Sequence, residues 1–524
     1  MIILGITNND LAGACLVRDG GIVAAASEER FTRQKDHKAW PSRSIDYVLG
    51  EAGIDLADID RIAYGWNAGF DAGRHLDLYL DRVLEEARER PEGLPHLRKR
   101  IADEMANDKA KRDEFDAFVR ANGLRGKVEY IDHHECHALG AFVCSPFDEA
   151  LTLTCDGRGD FQSLTVTHYR ADGGEAVLQR ETSVDSLGYF YGRITRLLGF
   201  KPNRHEGKIT GLAAFGDAEK LLPLMNDMIR LENGRLRARC GCANLCLAGG
   251  VFGNVKLNQR LREIPGVRDV YVLPCMGDGG LALAAAVAVA YRENGTRFPA
   301  PSMALGPDAR SAAQNAELIA SQYPQLAYSR PANLIETLVE ALRENQVLGM
   351  FKGRMEFGPR ALCNRSIVYH PGDASANDWL NQRMERTEFM PFAPVTAVEH
   401  AEACYVGWRE DQVAADYMTM TYDCHADFRA RCPAVVHVDG TARPQIIRPQ
   451  ADPFMHALLH AWHARSGQPA LINTSFNRHE EPIVCAPQDA LGALEDGMVD
   501  LVVLGESLLV WRKGENAFAR ARFE

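Results

Sequence analysis

The 524-residue sequence has few of the features that mark secreted, membrane-spanning or nucleic-acid-binding proteins. No basic segment precedes an apolar run in MIILGITNND, so we expect no signal peptide. The longest apolar run, residues 281–291, is too short to cross a bilayer. The 13 cysteines include no C-x-x-C pair, which favours reduced thiols and a cytoplasmic location over a disulfide framework. A net charge of −12 argues against broad binding to nucleic acids or anionic membranes.

The segments that are present predict an α/β protein with an internal repeat. Residues 2–6, 14–17 and 21–26 form a strand–turn–strand–turn–strand pattern, and ALTLTC, SLTVTHY and EAVLQ repeat it later. Two such units followed by α/β segments are the pattern of the actin-like ATPase fold. In that fold the turns at 7–10 and 156–160 would face a nucleotide from opposite sides. Two unrelated hairpins are the alternative.

Residues 74–123 separate the two units and are highly charged, with a helical pattern that a Pro-Glu-Gly-Leu-Pro segment interrupts. We interpret them as a solvated helical insertion rather than as an arm that binds a partner. The proline-rich segment RFPAPSMALGP then predicts a domain boundary. The predicted organisation is a domain at 1–302, a linker at 303–325 and a second α/β domain at 326–524.

Three histidines follow a predicted strand in the segment KVEYIDHHECHALGAF. Asp132 is a plausible N-cap for a helix that begins there. On such a helix His133 and His137 share a face and could bind one metal ion, whereas His134 points about 100° away. Ordinary helix-terminal histidines are the alternative. Later, LAGGVFGNVKLN and GDGG provide glycine-rich turns where backbone can approach an anionic ligand closely.

The motifs DHHECHALGAF, CDGRGD, HEGKITGLAAFG, LAGGVFGNVKLN, GDGGLALAAA, GRMEFGPRALCNRSI, MPFAPV, HVDGTARPQII and INTSFNRHEEPIVCAPQDA occur in family order. Together they resemble the O-carbamoyltransferases of nodulation-factor and antibiotic biosynthesis, the NodU/CmcH type, over nearly the whole chain. The resemblance implies an N-terminal domain of the actin-like (ASKHA) type, similar to threonylcarbamoyl transferases, and a C-terminal YrdC-like domain. It also implies that ATP and carbamoyl phosphate yield carbamoyl adenylate, whose carbamoyl group then moves to a hydroxyl of a small acceptor.

The resemblance implies a divalent metal at the N-terminal site, with Fe²⁺ expected and Mn²⁺ or Zn²⁺ as alternatives. Its implied ligands are His133, His137, Asp156 and Asp278, a donor set that suits these ions better than Ca²⁺. The expected nucleotide contacts around it are Gly157, Arg158, Lys208, Gly211, Gly249, Gly250, Asn254 and Gly279. His37 in RQKDHKAWP is a candidate general base for the acceptor hydroxyl, with an exposed loop histidine as the favoured alternative.

In the C-terminal domain the ligands would be the phosphates of ATP, expected with Mg²⁺, and carbamoyl phosphate. Guanidinium groups bind such oxyanions bidentately. The candidates for catalytic roles are Arg360, Arg386 and Arg443, with a surface ion pair as the alternative for any single arginine. We assign ATP contacts to Arg354, Arg365, Asn473, Ser475 and Asn477.

The sequence departs from the family pattern at three positions. Met384 and Met390 stand where a lysine and a second arginine are usual, and Arg383 is a candidate substitute for that lysine. Cys363 replaces the usual glycine of RALGNRS, which we interpret as packing and not as a nucleophile. Whether Met384 and Met390 alter carbamoyl phosphate binding stays open.

The sequence therefore predicts an ATP-dependent O-carbamoyltransferase whose partners are small molecules, without nucleic acid or membrane. A threonylcarbamoyl-type transferase acting on tRNA and a nucleotide-binding scaffold without turnover are the alternatives. The identity of the acceptor and the oligomeric state, a homodimer included, stay open.

Overall fold

The first half of the chain begins with a five-stranded sheet. The computed structural model describes residues 1–9, 11–66, 75–217, 219–220, 222–223, 242–386 and 391–523. The strands of this sheet are β1 (Ile2–Thr7), β2 (Gly13–Arg18), β3 (Gly21–Ser27), β4 (Arg61–Tyr64) and β5 (Val128–Tyr130). Their order is β3–β2–β1–β4–β5, with β1 to β3 antiparallel and β4 and β5 parallel to β1. Asp19 and Gly20, with φ of 50° and 81°, form the predicted turn between β2 and β3.

A second five-stranded sheet repeats this topology. Its strands are β6 (Glu149–Gly159), β7 (Gln162–Arg170), β8 (Glu175–Thr182), β9 (Asn244–Ala248) and β10 (Asp269–Val272). The order is β8–β7–β6–β9–β10, again with three antiparallel strands followed by two parallel ones. The two predicted β-β-β units are therefore confirmed as strands. The turn at 7–10 is described except for Asp10.

Two buried helices lie between these sheets. Among the described residues, the helices of this half that have assigned bounds are α1 (Glu28–Thr32), α2 (Ser42–Ala52), α3 (His75–Glu89), α4 (Leu94–Ala121), α5 (His133–Cys144), α6 (Leu187–Leu197), α7 (Glu206–Ala213), α8 (Val255–Arg262) and α9 (Leu281–Asn294). Helix α9 packs on the first sheet, α5 packs on the second, and the two helices pack on each other. A Cβ on Gly140 would lie 2.6 Å from the Cβ of Ala284, so small residues permit this close layering.

The predicted helical insertion is present as α3 and α4, while Arg74 lies outside the described residues. Its interpretation as a solvated element is wrong in part. Helix α4 buries Asp108, Phe115 and Val119, and the amide of Asn8 donates to Glu114 at 2.8 Å. The insertion is thus packed against the body of the first half.

The second half contains an eight-stranded mixed sheet. Its strands are β12 (Leu326–Ser329), β13 (Leu348–Phe351), β15 (Arg365–Tyr369), β16 (Ala393–Ala397), β19 (Gln445–Ile447), β20 (Ala470–Ser475), β21 (Leu501–Leu504) and β22 (Leu508–Arg512), in the order β12–β22–β21–β13–β15–β20–β16–β19. Two small sheets pair β11 (Ala304–Asp308) with β14 (Arg354–Glu356) and β17 (Tyr422–Asp423) with β18 (Thr441–Ala442).

Eight helices accompany these strands within the described residues. They are α10 (Ala312–Gln322), α11 (Leu334–Arg343), α12 (Ala376–Arg383), α13 (Val398–Cys404), α14 (Ala426–Arg431), α15 (Pro453–Ser466), α16 (Pro487–Glu495) and α17 (Ala517–Phe523). Residues 303–325, predicted as a linker, hold β11 and α10. No helix in the described part of the chain is both long and apolar enough to cross a bilayer.

The two halves pack directly against each other. Buried side chains from both, such as Leu247 and Tyr422, belong to one hydrophobic cluster. The Arg33 guanidinium donates to the carbonyl oxygens of Pro482 and Ile483 at 2.9 and 2.6 Å. Because these contacts join α1 to the segment after β20, the N-terminal half orients part of the C-terminal half.

Candidate metal centre

Four side chains from three distant segments meet at one point between the two five-stranded sheets. The ligand atoms of His133, His137, Asp156 and Asp278 all lie within 4.8 Å of one another. His137 Nε2 lies 3.5 Å from an oxygen of each aspartate, and His133 Nε2 lies 3.7 Å from Asp278. Both imidazoles are fully buried, and each carboxylate is about one-fifth exposed. The cluster therefore opens toward solvent on its carboxylate side.

The start of α5 determines where the two histidines point. Asp132 caps the helix as predicted, because its side chain accepts from the backbone N–H of Glu135 at 3.0 Å. Asp160 accepts from the backbone N–H of His133 at 2.9 Å, which ties this end of the helix to the turn between β6 and β7. His134 points away and bonds to Thr154 at 2.7 Å. The spacing thus selects His133 and His137 for the cluster.

Glycine at position 159 is required by the approach of β6 to α5. A Cβ there would lie 2.0 Å from the His133 ring, a distance no real contact tolerates. Gly159 and Asp160 are site residues that the sequence reasoning did not identify. The sequence placed them only in the turn at 156–160, because their contact is with a segment distant in sequence.

Backbone N–H groups of glycine-rich turns orient the Asp156 carboxylate. Gly157 donates to one oxygen at 2.7 Å and Gly250 to the other at 3.0 Å. Gly249 has φ of 101°, and a Cβ on it would lie 2.3 Å from the Cys155 carbonyl oxygen. The predicted GGVFGN turn therefore lies directly beside the cluster. The turn that carries Asp278 and Gly279 follows β10.

Burial and charge act in opposite directions on the pKa values of this cluster. Burial lowers the pKa of His133 well below the usual range, and the neighbouring imidazoles lower it further. Burial also lowers the pKa of His137, but the Asp156 and Asp278 carboxylates outweigh it and raise this pKa to about 9. Burial raises the pKa of Asp156, yet His137 outweighs it and the net direction is downward. The His133 imidazole therefore remains neutral beside the ionised Asp156 carboxylate.

The residues fit a bound divalent transition metal. Both ring nitrogens of His133 are buried and have no hydrogen-bond partner among the described residues, although a buried polar atom normally has one. Two imidazole nitrogens and two carboxylates are donors that iron, manganese and zinc accept. A metal ion would satisfy the His133 nitrogen that faces Asp278.

The other predicted nucleotide residues of this half lie on neighbouring elements. Asn254 caps α8, and its amide group lies 3.4 Å from the Tyr191 hydroxyl, which bonds to Thr210 of α7. That helix also carries Lys208 and Gly211, both buried. Arg158 instead forms a two-pronged ion pair with Asp108 of the insertion, so its guanidinium is already engaged.

His37 lies in a half-buried loop with its ring nitrogen 3.2 Å from the Thr32 hydroxyl. Its carbonyl oxygen accepts from the backbone N–H of Ala12 at 3.1 Å. Leu11, next to Ala12, is near Gly279, where an added Cβ would lie 3.1 Å from the Leu11 Cβ. The loop of His37 is therefore linked through the β1–β2 turn to the turn that carries Asp278.

In the second half, Arg386 joins two of the other predicted site residues. Its guanidinium donates to the Ser475 hydroxyl at 3.1 Å and to the Asn477 side-chain oxygen at 2.8 Å. Arg360 and Arg443 are half-buried, and their roles stay predictions. Met384 is fully buried in the hydrophobic core, and Met390 lies outside the described residues.

Three arginines serve the scaffold, which corrects the roles proposed for them. Arg354 donates to the carbonyl oxygens of Val23, Leu305 and Gly306 and so clamps the two halves together. Arg365 is fully buried and donates to the carbonyls of Lys352, Gly353, Asn364 and Pro307. Arg383 bonds to Asp500 and does not replace the missing lysine.

Two buried side chains near β15 also have internal partners. Asn473, predicted to contact ATP, donates to Gln445 at 2.6 Å and is 1% exposed, so its amide is committed inside the protein. Cys363 has φ of 80°, a conformation that favours glycine, which explains why glycine is usual there. Burial raises the pKa of the Cys363 thiol well above its usual range, which agrees with a packing role.

Metal binding at this cluster should strengthen as the pH rises from 6 to 9. His137 keeps its proton up to about pH 9 in the metal-free protein, so the ion must displace it. The low pKa of His133 means that this residue has no proton to lose. We expect the Mn²⁺ affinity to rise about tenfold per pH unit in this range, with release of one proton. Calorimetry in buffers of different ionisation enthalpy would measure this, and a proton count of zero at pH 7 would contradict it.

Replacing Gly159 by alanine should remove the metal without unfolding the protein. The added methyl group would displace the His133 ring, and we expect Mn²⁺ affinity to fall at least about 100-fold, the upper range for outer-shell changes. Gly253→Ala is the matched control, because nothing lies within 4 Å of its added Cβ. Equal Mn²⁺ binding by both variants, measured by calorimetry, would show that the His133 position is not required.

Models of known families match most of the chain. The model described as "Carbamoyltransferase N-terminus" matches residues 2–239 and 223–287, and the "Carbamoyltransferase C-terminus" model matches residues 339–511. Nodulation protein NolNO of Sinorhizobium fredii is 30% identical over 95% of this chain and 78% of its own length. A 3'-hydroxymethylcephem-O-carbamoyltransferase of Amycolatopsis lactamdurans is 33% identical over 49% of this chain and 47% of its own.

Among solved structures, full-length HypF in the phosphate- and nucleotide-bound form covers 36% of this chain and 22% of its own, with 18% identity and a TM-score of 0.25. Membership of the family is shown by the two family models and by the NolNO relative, which matches along almost the whole chain. The chain belongs to the NodU/CmcH family of carbamoyltransferases and is a transferase enzyme.

Proposed function

We propose that this enzyme is an ATP-dependent O-carbamoyltransferase that moves a carbamoyl group onto a hydroxyl of a small molecule. The observation that carries the proposal is the convergence of His133, His137, Asp156 and Asp278 on one point beside glycine-rich turns. Such turns suit a phosphate-bearing ligand, because their N–H groups can approach oxyanions closely. The O-carbamoyltransferase among the relatives supports the same transfer chemistry.

The first step is assigned to residues 326–524, the YrdC-like domain. Water cleaves carbamoyl phosphate there into carbamate and phosphate, and a carbamate oxygen then attacks the α-phosphate of ATP. Carbamoyl adenylate forms and pyrophosphate leaves. Arg386 holds the turn of Ser475 and Asn477 in place, and Arg360 and Arg443 would bind the phosphate oxyanions.

The second step is assigned to residues 1–302, the actin-like domain. The acceptor oxygen attacks the carbamoyl carbon, and AMP departs with the electrons of the broken bond. His133, His137, Asp156 and Asp278 would hold a divalent ion, expected to be Fe²⁺, which would supply Lewis-acid polarisation of the carbonyl group. The N–H groups of Gly157 and Gly250 fix the Asp156 carboxylate in place for this role. His37 is the candidate base for the acceptor proton.

The acceptor site is proposed for a cavity of about 520 Å³ between α3 and β7–β8. Its volume lies in the range of small-molecule sites, about 300–1,000 Å³. Gln162 lines the cavity and donates to Asp132, the cap of α5, at 3.0 Å. Leu84 and Arg180 are among its mixed apolar and charged lining residues, which suit an acceptor with both polar and apolar parts.

The two steps should be separable by mutation. With ATP, carbamoyl phosphate and Fe²⁺, His137→Ala should still release pyrophosphate but lose at least about 99% of carbamoyl transfer, since the metal contributes several kcal/mol. Arg386→Ala should lose pyrophosphate release, while Arg478→Ala nearby, which pairs with Asp496, should keep it. Carbamoyl transfer at the wild-type rate by His137→Ala would refute the metal assignment, and an absence of pyrophosphate from the wild-type enzyme would favour a scaffold without turnover.

A charged residue in the proposed acceptor cavity should affect only the second step. Leu84→Arg would fill the cavity, so we expect the KM for the hydroxyl acceptor to rise at least about tenfold while pyrophosphate release is unchanged. Leu80→Arg on the same helix is the matched control, since Leu80 is 44% exposed and does not line the cavity. An acceptor found by mass screening for a gain of one carbamoyl group provides the assay. Equal KM values for the two variants would show that the acceptor does not bind in this cavity.

A further inference from the structure

A second group of nitrogen and oxygen ligands lies in the other half of the chain, outside the residues that the proposed function uses. His456 and His460 are one turn apart on α15, so they share a face of the helix. Glu399 reaches them from α13. The ligand atoms of the three residues form a compact group, partly exposed to solvent.

The three ligand atoms have the spacing of a metal site. The two imidazole Nε2 atoms lie 3.2 Å apart. One oxygen of Glu399 lies 3.1 Å from the His456 nitrogen and 3.2 Å from the His460 nitrogen. Ligands about 2.0–2.1 Å from a tetrahedral zinc ion are about 3.3 Å apart. The triangle of donor atoms therefore matches one face of such a tetrahedron.

Hydrogen bonds alone explain this arrangement less well. If His456 donates to His460, the accepting nitrogen of His460 cannot also donate to Glu399. If both imidazoles donate to Glu399, their N–H groups face each other at 3.2 Å without bonding. Hydrogen bonds can therefore account for at most two of the three close contacts among His456, His460 and Glu399. A single cation bound by all three ligand atoms accounts for every contact.

A cavity of about 250 Å³ adjoins Glu399 and is also lined by Glu410 and Arg448. The His400 and His463 rings, 4.1 Å apart, lie nearby but are not among the three ligands.

We propose that His456, His460 and Glu399 bind a divalent transition metal of the Zn²⁺ class, with the remaining position open to water or a small anion. Two imidazoles and one carboxylate with an open position are a donor set that zinc accepts in proteins. Helix α13 follows β16, helix α15 precedes β20, and these two strands are paired. The ion would therefore link the two helices that flank neighbouring strands. This site is independent of the proposed carbamoyl transfer.

The test uses the full-length chain with the first cluster disabled by the double substitution His133→Ala and His137→Ala. This protein should bind one equivalent of Zn²⁺ by calorimetry, and Co²⁺ in its place should give the visible absorption of a tetrahedral ion. Adding His460→Ala should weaken Zn²⁺ binding at least about 100-fold, beyond the loss typical of an outer-shell change. His463→Ala is the matched control, since His463 lies on the same helix outside the triangle. The protein with this substitution should still bind one equivalent of Zn²⁺.

A second measurement covers the case in which the double substitution unfolds the chain. The otherwise unchanged enzyme should then bind one more equivalent of Zn²⁺ than its His460→Ala variant, and Zn²⁺ should raise the melting temperature more in the unchanged enzyme. Unchanged stoichiometry on loss of His460 would overturn the proposal. Equal weakening by His460→Ala and His463→Ala would also overturn it, because it would indicate a diffuse histidine-rich surface.

Discussion

The close burial of two imidazoles and two carboxylates is the constraint on which the first half of the molecule depends. Charged and polar groups are costly to remove from water unless their partners are in place. The layered helices α5 and α9 bring the segments together, and small residues such as Gly140 permit the distance. Gly159 removes the side chain that would clash with His133. The resulting group of ligands lies in a low-dielectric setting where a cation interacts strongly with the carboxylates.

The contacts between the two halves give the carbamoyl-transfer proposal its structural basis. Arg354 and Arg33 donate hydrogen bonds to backbone carbonyls of the opposite half, so the two halves are held directly against each other. In the proposed reaction, carbamate and carbamoyl adenylate would decompose in water, and packing of the two halves would help to shield them. The insertion takes part as well, because Asp108 holds the Arg158 guanidinium beside the metal cluster.

The two groups of candidate metal ligands differ in setting. The first has two carboxylates, buried imidazoles and neighbouring glycine-rich turns, and under the proposed function its ion would act on a phosphate-bearing substrate. The second has a single carboxylate, Glu399, and lies at the surface between α13 and α15. Both use histidines four residues apart on a helix, the spacing that places two imidazoles on one face. The same local pattern therefore appears twice, with different surroundings and different expected roles.

Local patterns in the sequence were enough to determine the strand–turn–strand units, the cap at Asp132, the helix after it and the charged helical insertion, because each depends on residues near one another in the chain. The family motifs identified the four cluster residues before the structure showed that they meet. Only tertiary structure decided that Arg354 and Arg365 serve the scaffold, that Gly159 must lack a side chain and that Glu399 meets His460. These roles depend on which distant segments pack together. A buried guanidinium donates to nearby backbone carbonyls, whereas an exposed one remains available to a ligand.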